Sequence, residues 1–203
     1  MSKAAAREDK TSTQKELGER VRAIRHLQGL TLADVAAKAG LPVSTISKLE
    51  NGKVVFTYDK LMRLKGALDV DLSQLFVGGP STQAPAAPMT GRRSIQRAGE
   101  GVVIETRSGS NVHLAGDVLN KHFQPMTGEV LARSLEEFGP FNRHPGEEFI
   151  HVLSGELELH TELYAPARLK VGDSIFFDSD MGHAYVSVGE EPCKIVLVCW
   201  SPN

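Results

Sequence analysis

The feature that most constrains this chain is a break in its periodicity. The segment VGGPSTQAPAAPMTGRRSIQRAGEG, residues 77–101, holds three prolines and five glycines and shows no apolar repeat. A structureless loop of that length does not belong inside one compact domain, so it divides the chain in two. Before it, apolar residues recur at helical spacing. After it, short alternating runs are separated by Gly, Pro and Asp, the pattern of an all-β fold. The expected organisation is a disordered tail over 1–13, a helical domain over 14–77, a linker over 78–100 and a β domain over 101–203.

Charge follows the same division. Residues 1–77 carry 13 basic and 9 acidic side chains, a net +4, whereas residues 101–203 carry 7 and 15, a net −8. A front half that meets a polyanion and a rear half with another task fit that asymmetry. No apolar run approaches the roughly 20 residues a membrane helix needs, and MSKAAAREDKTST lacks the apolar stretch of a secretion signal. Cys193 and Cys199 lie six apart on one predicted strand, on one face, where they cannot bridge each other. Reduced thiols, no membrane partner and a cytoplasmic location are the expectations.

Five short helices are predicted in the front half. Leu17, Val21 and Ile24 share one face of the first, which ends near Gly29. Thr31 caps the second, with Asp34 reaching back in a capping box. Gly40 supplies the left-handed turn after Ala39. Pro42 opens a third helix through Asn51, and two more follow around Tyr58–Leu68 and Leu72–Phe76. The stretch TLADVAAKAGLPVSTISKLENGK thus reads helix, glycine turn, helix. Small Ala36 permits a close crossing, and Ile46 and Leu49 point inward. Ser44, Ser47, Lys48 and Asn51 collect on the opposite side, a polar and mildly basic face suited to the major groove. An ordinary helical hairpin with a solvated face satisfies the same pattern.

Residues 14–76, with ISKLENGK and the closing LMRLKGALDVDLSQLF, resemble the lambda-repressor-like DNA-binding domain of the Xre family. The resemblance implies that Val43, Ser44, Thr45, Ser47 and Lys48 face DNA. It also implies that Lys53, Thr57 and Tyr58 hold phosphate, and that Arg25 pairs with Glu50 to lock the first helix to the third. Leu32 stands where the family usually has a glutamine that contacts phosphate, so weaker or differently registered DNA contacts are expected. Reading helices of this kind act in pairs, which predicts a homodimer on a double-stranded DNA operator.

Beyond the linker, candidate strands are VVIET, EVLARSL, EEFIHVL, ELELH, ARLK, DSIFF, HAYVSV and KIVLVCW, with Gly155 and Gly172 at turns. Even spacing suggests a closed barrel or jelly roll. Asn142, His144 and Glu148 share one parity and His151 the other. With His183, two histidines and a carboxylate would suit Fe, Mn, Ni or Zn if they converged; scattered polar residues at strand ends are the alternative. His26, His113, His122 and His160 read as solvated or capping groups, and Arg143 as a partner for an acidic effector or a surface ion pair.

Residues 139–160 and 171–187 resemble the two motifs of the cupin family. The first normally runs His-x-His, three or four residues, Glu, six residues, Gly; here it runs Asn142-x-His144, three residues, Glu148, six residues, Gly155. The second is matched by Gly172 and His183. Asp178 and Asp180 replace the family's proline and glycine, and Ser187 its asparagine. Asn142 replaces the first histidine, leaving three metal ligands, His144, Glu148 and His183. Together the halves look like a transcriptional regulator whose cupin domain binds a small-molecule effector between Asn142, His144, Glu148, His183 and Tyr185, with or without a metal. No catalytic residue is assigned. Two rival readings are a metal-dependent oxygenase or isomerase tethered to DNA, and a cupin that serves only to dimerise.

Overall fold

The structure is a computed structural model. It describes residues 3–201 except 55–57, 71–73, 76–90, 107 and 119–120, with backbone alone for residues 3–13, 58 and 59. The chain divides into two compact units, residues 1–95 with 116–120, and residues 96–115 with 121–203. Most of the 78–100 segment expected as a linker lies outside the described residues.

The first unit is helical: α1 Lys3–Leu27, α2 Leu32–Ala39, α3 Val43–Glu50 and α4 Tyr58–Leu68. Helix α1 therefore begins within the stretch read from sequence as a tail. Of the expected fifth helix, Gln74 and Leu75 are helical and Leu75 is buried, while the rest of it lies outside the described residues. Local chemistry sets the boundaries. Thr31 caps α2 by accepting from the Asp34 amide at 3.1 Å, and the Asp34 carboxylate accepts from the Thr31 amide at 2.8 Å. Gly40 takes the left-handed conformation (φ 61°) that ends α2. Leu17, Val21, Val35, Ile46, Leu49, Leu61 and Leu64 form the core, each worth about 1.5–3 kcal/mol when fully buried. Helix α1 approaches α3 closely at Gly18, where a Cβ would sit 2.4 Å from the Leu49 carbonyl oxygen.

The second unit is β-rich, with strands β1 Val102–Glu105, β2 Gly109–His113, β3 Phe123–Val130, β4 Glu147–Ser154, β5 Leu157–Thr161, β6 Ala167–Leu169, β7 Ser174–Asp178, β8 His183–Ser187 and β9 Cys193–Trp200. They form a six-stranded sheet, β1-β2-β3-β9-β4-β7, and a three-stranded sheet, β6-β5-β8, with every pairing antiparallel. This is the jelly-roll class expected, but as two sheets: among the described residues the strand ladders do not close into a barrel. Met126, Ile150, Val152, Leu157, Leu159, Ile195 and Leu197 are buried between them.

Two strand expectations need correction. Only Glu129 and Val130 of EVLARSL are strand: they end β3, which starts six residues earlier at Phe123, and a short helix, α5 Leu135–Phe138, follows. Ser134 caps it, accepting from the Glu137 amide at 3.2 Å, and Glu136 and Glu137 favour the positive end of the helix dipole. Strand β2 escaped notice because GSNVH carries residues disfavoured in strands. His113, read as solvated or capping, is buried on β2. Cys193 and Cys199 are buried free thiols on the inward face of β9, as the parity argument required.

Candidate DNA interface and metal centre

Helix α3 presents the predicted reading face. Ile46 and Leu49 are buried beneath it, Val43, Ser44 and Lys48 are exposed, and Thr45 and Ser47 are half-buried. Lys53, just past the helix, is exposed. Thr57 and the side chain of Tyr58 lie outside the described residues. Asn51 has a different occupation: its Nδ2 donates to the Ser47 carbonyl at 2.7 Å, and its Oδ1 accepts from Arg22 Nη2 at 2.7 Å. Both ends of its amide tie the end of α3 back to α1.

The implied Arg25–Glu50 pair is present and bidentate. Arg25 Nε donates to Oε1 at 2.6 Å and Nη2 to Oε2 at 2.9 Å, both side chains being buried. The carboxylate raises the pKa of Arg25 through that hydrogen bond, against the cost of burial. Arg22 adds a weaker contact to Glu50 at 3.4 Å. Sequence reasoning missed Arg22, although Arg22 and Arg25 three apart share one face of α1.

In the second unit, Glu148 rises from β4 of the larger sheet and His183 and Tyr185 from β8 of the smaller. His144 precedes β4, its amide donating to the Ser179 carbonyl at 3.0 Å. Their functional atoms converge. His144 Nε2 lies 2.7 Å and His183 Nε2 3.7 Å from Glu148 Oε1, and one candidate ligand atom from each residue lies within 4.8 Å of the others. All three are buried, at 2, 0 and 1% exposure for His144, His183 and Glu148. Tyr185 donates to Glu148 Oε2 at 2.5 Å, and the Cys199 thiol to Oε1 at 3.4 Å. Cys199 was not expected here; it follows from the β4–β9 register, which sets Glu148 opposite Cys199.

Burial pushes the Glu148 carboxyl upward, but His144, His183 and Tyr185 together outweigh it and hold the group below its ordinary value. His183 is shifted the other way: burial lowers its pKa more than the Glu148 carboxylate raises it. Its Nδ1 lies 2.9 Å from the Met181 carbonyl, which can only accept. The proton therefore sits on Nδ1, leaving the Nε2 lone pair aimed into the cluster, buried and without a hydrogen-bond partner. That is the arrangement in which a histidine binds a metal, its outer nitrogen held by a carbonyl. Two imidazoles and a carboxylate suit a first-row divalent ion.

Asn142 stands beside this cluster. Its amide donates to the His183 carbonyl at 2.8 Å and its carbonyl accepts from the His183 amide at 2.9 Å. Residues exchanging both bonds in an antiparallel bridge project to the same face. Asn142 alone among the five expected pocket residues is only half-buried, which places it at the rim. His151 points away, as parity predicted, and bonds Ser174 at 2.8 Å. Arg143 forms an exposed ion pair with Glu162 and donates to the Asp180 carbonyl. Ser187 is buried and donates to the Glu191 carbonyl at 3.1 Å.

Comparison with known proteins follows the same two-part division. Residues 21–75 match the helix-turn-helix family and residues 135–199 the cupin domain family. The HTH-type transcriptional regulator PuuR of Escherichia coli is 26% identical over 181 residues, covering 88% of this chain and 91% of that protein. A dimethylsulfoniopropionate lyase, DddQ, of Ruegeria pomeroyi is 38% identical over only 61 residues, 30% of this chain and 29% of the lyase. In fold, the crystal structure of an HTH_3 family transcriptional regulator from Vibrio cholerae superposes with a TM-score of 0.66 at 18% identity, covering 96% of this chain and 99% of that one. The chain thus joins a helix-turn-helix domain in its first unit to a cupin domain in its second.

Proposed function

We propose that the protein is a sequence-specific DNA-binding transcriptional regulator whose cupin domain senses a small molecule. The observation that carries this reading is the pairing of an exposed polar α3 face with a relative, PuuR, that aligns across both domains and is itself a transcriptional regulator. Ser44, Thr45, Ser47 and Lys48 read base edges or phosphates, Val43 makes apolar contact with a base, and Lys53 neutralises a phosphate. Thr57 and Tyr58 extend the phosphate contacts. Asn51 works indirectly, holding the end of α3 against Arg22.

In the cupin, His144, Glu148 and His183 would hold a divalent transition ion (Fe, Mn, Ni or Zn), with Tyr185 holding the Glu148 carboxylate in position. When bound there, such an ion would supply Lewis acidity toward an oxygen or nitrogen of the effector. Asn142 at the rim meets the effector as it enters. Occupancy acts by population shift: only a difference in effector affinity between two arrangements of the DNA-binding units moves the operator equilibrium. The protein works as a homodimer in the cytoplasm. Buried reduced thiols, and the absence among the described residues of any helix long and apolar enough to cross a membrane, accord with that location.

The test is DNA affinity measured across a metabolite panel with metal-loaded and metal-stripped protein. An effector that shifts affinity for the wild type but not for Glu148→Gln supports sensing. Identical affinity throughout, with metal and without, overturns it. The buried His/Glu/His cluster also favours a second reading, a metal-dependent enzyme tethered to DNA. Turnover of a panel compound that disappears in His183→Ala would establish that reading instead.

A further inference from the structure

The six-stranded sheet has an outward face that no residue of the proposed machinery uses. Strand register lays it out in rows. Phe176, Phe149, Val198 and Pro125 sit side by side across β7, β4, β9 and β3. The next row holds His151, Val196, Thr127 and Val112. Below the first row, Trp200 and Phe123 pair directly, continuing outward into Glu147 and Asp178. Above the second, Lys194 and Glu129 close the face with charge. Phe176, Phe123, Trp200 and Phe149 are 60, 55, 40 and 38% exposed. An apolar centre within a charged rim is the anatomy of a protein interface.

We infer that this face packs against the same face of a second copy of the chain. The inference rests on the regulator reading, because a symmetric operator demands two reading helices and a single α3 of eight residues supplies one. Size favours a whole partner over a short peptide. Five strands about 4.8 Å apart and four outward rows about 6.7 Å apart project ~650 Å², close to the roughly 600–800 Å² per partner of a stable interface. A sheet face packs on itself readily, since two twisted sheets stack aligned with side chains interdigitating. His151, Thr127 and Ser174 are the polar residues of the central rows, and the His151–Ser174 bond pairs two of them within one subunit.

Sedimentation equilibrium of the full chain tests this, with Phe176→Glu and Phe123→Glu as variants at opposite sides of the face. Both side chains are already more than half exposed, so folding is spared; thermal melts check this. Tyr164→Glu, 72% exposed on the β5–β6 loop, is the control. Twice the 22.0 kDa chain mass is expected for wild type and control, with at least 100-fold weaker association in both variants. Trp200 emission should shift to longer wavelength on dilution of the wild type, because dissociation wets that side chain. Wild-type protein at single-chain mass at micromolar concentration, or a dimer that survives both substitutions, overturns the inference. The regulator reading is scored separately, by whether the monomeric variants still select a single DNA half-site.

Discussion

Removing Arg25 should destabilise the DNA-binding unit while leaving the cupin unaffected. The guanidinium makes two charge-assisted bonds to Glu50, at 2.6 and 2.9 Å, and a third to the Leu30 carbonyl at 3.0 Å. In Arg25→Ala, Glu50 is left as a buried carboxylate with Arg22 as its remaining cation, 3.4 Å away and itself partly exposed. Breaking a buried pair from one side costs about 3–5 kcal/mol. Arg22 recovers part of that, so about 3 kcal/mol is expected. Small domains have total stabilities near the low end of about 5–15 kcal/mol, so the loss consumes much of the margin. Arg25→Met with Glu50→Met should cost far less than Arg25→Ala, because no charge is then stranded. The assay is urea denaturation followed two ways. Ellipticity at the helical band follows the first unit, and fluorescence of Trp200, the single tryptophan, follows the second. A shift of the helical transition by less than about 0.5 kcal/mol would refute the reasoning, as would an equal shift of the Trp200 transition; such a shift is within the range of ordinary surface substitutions.

Other perturbations follow from single contacts. Gly18→Ala should cost more than about 2 kcal/mol in the same helical transition, because its Cβ would lie 2.4 Å from a backbone oxygen. Gly66→Ala, inside α4 with no atom within 4 Å of the added carbon, should stabilise by roughly 0.5–1 kcal/mol. His113, pushed down to about 4 by burial and secondarily by Lys121, makes the cupin unit sensitive to acid. The unfolded chain takes up that proton near the ordinary histidine pKa and the folded one near 4, so stability is full above the first value and declines as pH falls towards the second. At about 1.4 kcal/mol per pKa unit the loss approaches ~3 kcal/mol. His113→Leu should flatten that slope in chemical denaturation at stepped pH. Tyr185→Phe should weaken divalent-ion binding about 10–100-fold by isothermal titration calorimetry, because the carboxylate loses its 2.5 Å donor.

What the sequence revealed depended on how local the physics was. Thr31, Asp34 and Gly40 announced the ends of α2 because caps and left-handed turns are decided within a few residues. His144, Glu148 and His183 could be picked out by motif spacing, and the structure brings their ligand atoms together. Their convergence through β4 and β8 is a property of two sheets and not of any one segment. Strands β2 and β3 were obscured for a related reason. Gly109 stands where a Cβ would lie 1.9 Å from the Glu129 carbonyl oxygen, so a residue that reads as a turn is required by close cross-strand approach. Pro125, another breaker by sequence, sits opposite the end of β2, its carbonyl accepting from the Leu114 amide at 3.0 Å. Arg22 and Cys199 acquire their roles only through partners 28 and 51 positions away. The aromatic outer face is likewise a product of strand order, since Phe149 and Phe176 pair directly between β4 and β7 and β9 carries the face on to Phe123.

Selection of bound sequences from random duplex DNA by the purified full chain tests the central claim most directly. The account predicts enrichment of a two-fold symmetric operator, its half-sites about one helical turn apart, with Lys48→Ala and Ser44→Ala altering the preferred bases. Recovery of unenriched DNA, bound only through salt-sensitive charge contacts and unaffected by either substitution, would contradict it.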